Sequence, residues 1–112
     1  MDAGTYRIHG CLFKTENIAE GEAERLDLTD VPILLEDDDA RIGRITETHV
    51  ADGFLKITAE IELREPTDRL ALDPRWAVHS KKRRTITGVY LCAQGLYSYT
   101  AVTGWEPLTS LI

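Results

Sequence analysis

Residues 31–63 read VPILLEDDDARIGRITETHVADGFLKITAEIEL and decide the fold. The apolar run Val31–Leu35, with a proline near its start, predicts a strand that begins at or near a sheet edge. The four acids Glu36–Asp39, the acidic elbow, end that strand because adjacent like charges repel and favour exposure. Ile42–Val50 then predicts a second strand, and Asp52-Gly53 is a hairpin turn signal.

The segment after the turn, Phe54–Leu63, has the cleanest pattern in the chain. Apolar residues alternate with polar ones over ten positions, the period of a strand with one buried and one solvated face. Such a strand belongs to an antiparallel sheet. The predicted buried face consists of Leu55, Ile57, Ala59, Ile61 and Leu63.

Outside this stretch, strand patterns also predominate. Thr5–Phe13, Thr85–Cys92 and Tyr97–Thr103 each predict a strand from their alternation or from β-branched and aromatic residues. Asp68–His79 is the one place for a helix, and its proline reduces that to two short turns. We therefore predict an all-β fold, a small antiparallel barrel or sandwich with at most one or two short helical turns.

Glycines and an acidic segment add detail to this prediction. Gly43 predicts a bulge, and Gly10 a bulge or a close backbone approach. The segment 14–30 is acidic with weak periodicity, which predicts a loop or partner-binding arm, with a short edge strand at Leu26 and Leu28.

Length and charge bound the function. The 112 residues predict a single domain over 1–112. No apolar run is long enough to predict a membrane helix, and the N-terminal sequence does not have the pattern of a secretory signal. Residues 1–63 hold fifteen acids and six bases, whereas residues 64–112 hold four acids and seven bases. The acidic half argues against nucleic-acid binding, and the asymmetry permits contact between copies or with a basic partner. Cys11 and Cys92 predict buried free thiols.

One run of features resembles the head maturation (prohead) proteases of tailed bacteriophages. It consists of an apolar strand, a polar elbow, Ile42-Gly43-Arg44, a strand, Asp-Gly and an alternating strand. The prohead proteases share the β-barrel fold of the herpesvirus assembly proteases. The resemblance covers roughly residues 5–92 and is best over 31–63. It implies a β-barrel and a serine-protease site, with Ile86–Tyr90 nearest to the strand that carries the family's nucleophile.

The chain departs from that family at both catalytic positions. Glu36 or Asp37 stands where the family has its histidine, and Thr87 where it has its serine, with Val89 in place of a glycine. A hydroxyl nucleophile needs a base that takes its proton, and a carboxylate is a weak one at neutral pH. The chain is therefore expected to keep the fold without the chemistry.

Other constellations are less specific. We expect His9, His49 and His79 to be surface or strand residues and not catalytic ones, because the sequence has no nucleophile elbow around any serine. The adjacent acids of the elbow lack the alternate spacing and glycine of a calcium loop, so we predict no metal and no cofactor. Partner binding is assigned to the acidic elbow, a basic run and aromatic residues of the second half: Glu36, Asp37, Asp38, Asp39, Lys81, Lys82, Arg83, Arg84, Tyr97, Tyr99 and Trp105.

The function predicted from these features is a non-catalytic phage structural or accessory protein, capsid-associated, that uses a protease-like barrel to bind protein. Its partner is expected to be a phage capsid or another copy, in the virion or the host cytoplasm, with no nucleic acid or membrane. Two alternatives stay open. One is an active prohead-type serine protease with a displaced site, and the other a small acidic inhibitor of a host enzyme or a nucleic-acid mimic.

Overall fold

The computed structural model describes residues 2–17, 26, 28–36, 39–80, 83–95 and 97–108. In this part of the chain the structure is all-β, with seven strands and two short 3₁₀ turns. The strands are β1 Gly4–Lys14, β2 Pro32–Leu35, β3 Arg41–Ala51, β4 Phe54–Leu63, β5 Ala71–Ser80, β6 Arg83–Cys92 and β7 Val102–Pro107, and the 3₁₀ turns are Thr15–Asn17 and Ser98–Thr100. The predicted fold class is confirmed.

One sheet holds all seven strands in the order β5-β6-β2-β3-β4-β1-β7. The prediction of a purely antiparallel sheet is wrong, because β2 and β6 are parallel, with Ile33 opposite Val89 and Leu35 opposite Leu91. The sheet does not close into a barrel, and a sandwich-like arrangement fits it. Its two outer strands approach at a single bridge between Ala71 and Ala101.

The β3–β4 hairpin forms as its sequence predicts. Asp52 and Gly53 have φ values of 55° and 80°, so both turn residues occupy the left-handed region that a tight primed turn requires. Every residue assigned to the buried face of β4 is at most 3% exposed. The alternation of Phe54–Leu63 therefore reports a strand with one face in the core.

The glycine in β3 permits a close approach between strands. A Cβ atom at Gly43 would lie 2.0 Å from the backbone oxygen of Glu60 on β4. Next to it, Ile42 is the extra residue of a bulge, since Ile33 and Leu34 of β2 pair with Gly43 and Arg41. The bulge predicted at this position is confirmed, and the missing side chain explains why a glycine occupies the site.

Aliphatic side chains from six of the strands meet in the core. Fully or almost fully buried members include Ile8, Leu12, Ile33, Ile45, Leu55, Ile57, Ile61, Leu72, Val89 and Leu91. A Cβ atom at Gly10 of β1 would lie 2.6 Å from Leu72 Cδ1, so β5 crosses close over β1 at this point. Cys11 and Cys92 are buried free thiols, as predicted, and burial raises the pKa of both.

Two local predictions of secondary structure are wrong. Asp68–His79 is not helical, since Ala71–Ser80 pairs with β6, and an outer strand tolerates Pro74 because its outer edge needs no backbone donor. Tyr97–Thr103 is not one strand, because a 3₁₀ turn precedes β7.

The structure describes only part of the acidic segment 14–30. Residues 18–25 and 27 lie outside the described residues, so the prediction of an acidic loop or arm over 14–30 stays a prediction there. Leu28 is 2% exposed and belongs to the core cluster. It lies in no strand, so the edge strand expected around it is wrong.

Candidate functional site

Glu36 and Thr87, which the resemblance to the prohead proteases would assign to a catalytic pair, lie far apart. Leu35, directly before Glu36, is opposite Leu91, four residues beyond Thr87 on β6. At about 3.3 Å per residue, that separation is about 13 Å along the strand. The Thr87 hydroxyl donates a hydrogen bond to the backbone oxygen of Arg75 at 3.3 Å. No dyad therefore forms between these two positions.

The acidic elbow is tied to its neighbours. Its backbone closes with a bond from the Asp39 N–H to the Leu35 oxygen (3.1 Å), and Asp39 has a left-handed φ of 56°. Tyr90 of β6 donates its hydroxyl hydrogen to Asp39 Oδ1, and this bond is the main cause that raises the pKa of Tyr90. Glu36 Oε2 lies 3.7 Å from Arg69 Nη1.

The remaining elbow acids, Asp37 and Asp38, lie outside the described residues. Arg75 of β5 extends the cluster, because its guanidinium carbon lies 4.6 Å from the Tyr90 ring centroid and its Nη2 lies 3.5 Å from Asp73 Oδ2. The elbow therefore contacts β6 and lies beside the first half of β5.

The basic run lies where β5 turns into β6. Arg83 and Arg84 begin β6, opposite Ser80 and Val78. Lys81 and Lys82 lie outside the described residues. The basic run and the acidic elbow are at opposite ends of β6, since the elbow lies beside Tyr90.

Two of the predicted aromatic residues form an exposed stack. The rings of Tyr97 and Tyr99 are 5.1 Å apart and nearly parallel, with an interplanar angle of 6°. Tyr97 is 52% exposed. Tyr99 also contacts the Phe54 ring (5.6 Å), and Lys14 Nζ lies 5.2 Å from its centroid. The four side chains form a surface that we call the aromatic platform.

Trp105, the third predicted aromatic residue, lies elsewhere. It pairs with Ile8 across β1 and β7, and its ring contacts Tyr6 edge-on at 5.8 Å. Both rings pack against the core cluster. Trp105 is therefore not part of the aromatic platform.

A polar cluster on the outer face of β1, β4 and β7 was not predicted. His9 Nδ1 lies 3.1 Å from Thr58 Oγ1, and His9 Nε2 lies 3.1 Å from Glu106 Oε1. Arg7 bridges Glu60 at 3.4 Å and Glu106 at 3.5 Å. The residues border an open groove of about 470 Å³. Only the strand register, which pairs β1 with both β4 and β7, brings them together.

In this cluster the Thr58 hydroxyl, the His9 imidazole and the Glu106 carboxylate contact one another in the same order as the groups of a hydrolase triad, and the resemblance is limited to that order. Thr58 is 7% exposed and lines the groove together with His9 and Glu106. The bonds hold β1, β4 and β7 together on their outer face. His79 makes a similar cross-strand contact, with Nε2 3.0 Å from Thr85 Oγ1.

Neither a metal centre nor a membrane-spanning helix appears in the described ranges. Within them, no group of three or more His, Cys, Asp or Glu side chains is arranged to hold a metal ion. The same part of the chain contains no helix long and apolar enough to cross a membrane. Comparison with protein-family models, with curated proteins and with solved structures finds no match to this chain.

Proposed function

We propose that this chain is a non-catalytic scaffold that binds protein surfaces, as a capsid-associated structural or accessory protein of a tailed phage. The observation that carries the binding role is the aromatic platform. The capsid association rests on the resemblance of residues 31–63 to the prohead proteases.

The aromatic platform has the properties of an interface anchor. Tyr97 presents a large amphipathic ring that is half exposed, and stacking on Tyr99 restricts its orientation before any partner arrives. Aromatic side chains dominate binding energy at interfaces, and an ordered ring loses less entropy on association. Lys14 adds a cation beside the rings that suits a partner with acidic groups at its rim.

The absence of catalysis is supported by the separation of Glu36 from Thr87. Leu91, the partner of Leu35, lies four residues beyond Thr87, and this separation keeps the Thr87 hydroxyl out of reach of Glu36.

The proposal is tested by pelleting the purified chain with capsids assembled from the major capsid protein of the genome that encodes it. We expect the wild-type chain to pellet with the capsids. Tyr97→Ala should weaken binding about 30-fold, which corresponds to ~2 kcal/mol for a central aromatic anchor. Tyr97→Phe, which keeps the stack, is the matched control and should bind nearly as the wild type does. A wild-type chain that stays in the supernatant contradicts the proposal.

The displaced protease site has one observation in its favour, the contacts of His9 with Thr58 and Glu106. Self-cleavage that disappears in both His9→Ala and Thr58→Val would support it. Under the scaffold proposal neither substitution changes the mass of the chain after incubation.

A further inference from the structure

A cleft of about 460 Å³ opens at the end of the sheet where β2 and β4 end and β3 begins. Its volume is in the range of sites that bind small ligands or single side chains with their neighbours. Residues of the connection from β4 to β5 form one wall. Hydrogen bonds fix that connection, since the Arg69 N–H donates to Thr67 Oγ1 (3.2 Å) and the Leu70 N–H to the Cys92 oxygen (2.9 Å). The cleft is therefore a built feature of the fold.

The floor of the cleft is apolar. Leu63 is 3% exposed, and Leu35 and Ile42 are partly buried against the core cluster. Ile42 is the extra residue of the bulge beside Gly43, and bulges beside binding sites redirect a side chain. A ligand with an apolar group can therefore pack on this floor and remove it from water.

Two arginines border the cleft and have no partner for their charge in the described part of the chain. Arg41 begins β3, and Arg64 directly follows β4. Both are exposed, and no ion pair or hydrogen bond engages either guanidinium among the described residues. The third arginine of the lining, Arg69, contacts Glu36 and is not available in the same way. A guanidinium binds a carboxylate through two parallel hydrogen bonds, so Arg41 and Arg64 suit an anionic group at the mouth.

Acidic residues limit how much negative charge the cleft can accept. Glu62 and Glu65 are exposed members of the lining, and neither forms an ion pair with Arg41 or Arg64. Together with Glu36 they balance the three arginines. This balance opposes a polyanion such as a nucleic acid and suits a single carboxylate placed between the two free guanidinium groups.

We infer that the cleft binds the C-terminal residue of another polypeptide, with its carboxylate on Arg41 and Arg64 and an apolar side chain on Leu35 and Ile42. A chain end that terminates in an apolar residue presents a carboxylate and an apolar group on one Cα atom. An internal acidic residue lacks the apolar group, and an internal apolar residue lacks the charge. Capture of a C-terminal carboxylate is a recurring mode of peptide recognition. The inference goes beyond the proposed function and does not rest on it, because the aromatic platform consists of other residues.

The inference is tested by titration calorimetry of the full chain with acetylated tetrapeptides that end in Leu, Ile, Val or Phe. Each peptide is used with a free C-terminal carboxylate and as the amide. We expect at least one free acid to bind, and its amide to bind at least about tenfold more weakly because the charged hydrogen bonds are lost. An amide that binds as tightly as the acid, or a set of acids none of which binds, overturns the inference.

Variants locate the carboxylate. Arg41→Gln and Arg64→Gln should each weaken binding of the free acid at least about tenfold. Arg44→Gln is the matched control and should bind as the wild type does, because Arg44 lies on the same strand outside the cleft and its side chain is 49% exposed. Equal losses in Arg41→Gln and Arg44→Gln contradict the inference. The comparison of acid with amide uses only the wild type, so it decides even where a variant does not fold.

A small acid separates a polypeptide end from a free metabolite. 4-Methylpentanoate has the carboxylate and the branched apolar group of a C-terminal leucine without the preceding peptide. We expect it to bind at least about tenfold more weakly than the best peptide acid, since the remaining cleft volume is left unfilled. Equal affinity would overturn the assignment to a polypeptide. Pelleting with capsids decides the scaffold role separately, because it depends on Tyr97 and not on the cleft.

Discussion

Gly43→Ala tests the arrangement of the sheet at its tightest point. The added methyl carbon would lie 2.0 Å from the backbone oxygen of Glu60 and 2.8 Å from the Cα atom of Ile61. Both atoms belong to the backbone of a paired strand, so no side-chain rotation relieves the contact. β3 and β4 must separate by more than 1 Å or lose their pairing here, estimated from a normal contact of roughly 3.4 Å or more.

The cost should therefore lie near the upper end for overpacking, about 3 kcal/mol of unfolding free energy. At roughly 4 °C per kcal/mol for a domain of about 100 residues, the melting temperature falls by ~12 °C. Urea denaturation followed by circular dichroism measures the free energy.

The control is Gly53→Ala, where no atom lies within 4 Å but φ is 80°. That change costs only the left-handed strain of an L-residue, about 1 kcal/mol. If Gly43→Ala costs no more than Gly53→Ala, the close approach of β3 and β4 is wrong.

Two further predictions concern groups whose pKa is raised. Cys11 and Cys92 should react with a thiol reagent only when the chain unfolds, and fast labelling of the folded chain would contradict their burial. The free energy of unfolding should be unaffected by these thiols below their ordinary pKa of 9.0 and should fall as pH rises through their higher pKa values in the folded chain. The Tyr90 phenol should titrate above its ordinary pKa of 10.0, and Asp39→Ala should lower its midpoint in an ultraviolet titration; an unchanged midpoint would refute the hydrogen bond between them.

Local signals made much of the fold predictable. The alternation of Phe54–Leu63 and the Asp52-Gly53 turn each act within a few residues, so β4 and its hairpin agree with the structure. The bulge beside Gly43 was predictable for the same reason, because a lone glycine in a strand marks a position without room for a side chain.

The features that could not be predicted depend on pairing between strands that are distant in the sequence. Pro74 argued against a strand at 71–80, but β5 is an outer strand and tolerates it. Nothing in Pro32–Leu35 distinguishes a parallel neighbour from an antiparallel one, so the pairing with β6 was missed. The cluster around His9 requires a register that joins residues 49 and 97 positions apart.

The candidate binding surfaces, like the fold, could be predicted only in part. Tyr97 and Tyr99 were both assigned to partner binding, but within a predicted strand over 97–103, whereas Tyr99 lies in a 3₁₀ turn and the two rings stack. Trp105 was grouped with them by residue type alone, and the register of β7 puts it beside Tyr6 instead.

Whether this chain binds capsids without proteolysis can be decided by intact-mass measurement of the pellet formed with the capsids of the encoding genome. We expect the pellet to contain both the capsid protein and this chain, at its full 12.6 kDa, without fragments. A capsid protein that is cleaved by the wild-type chain and left whole by His9→Ala would contradict it.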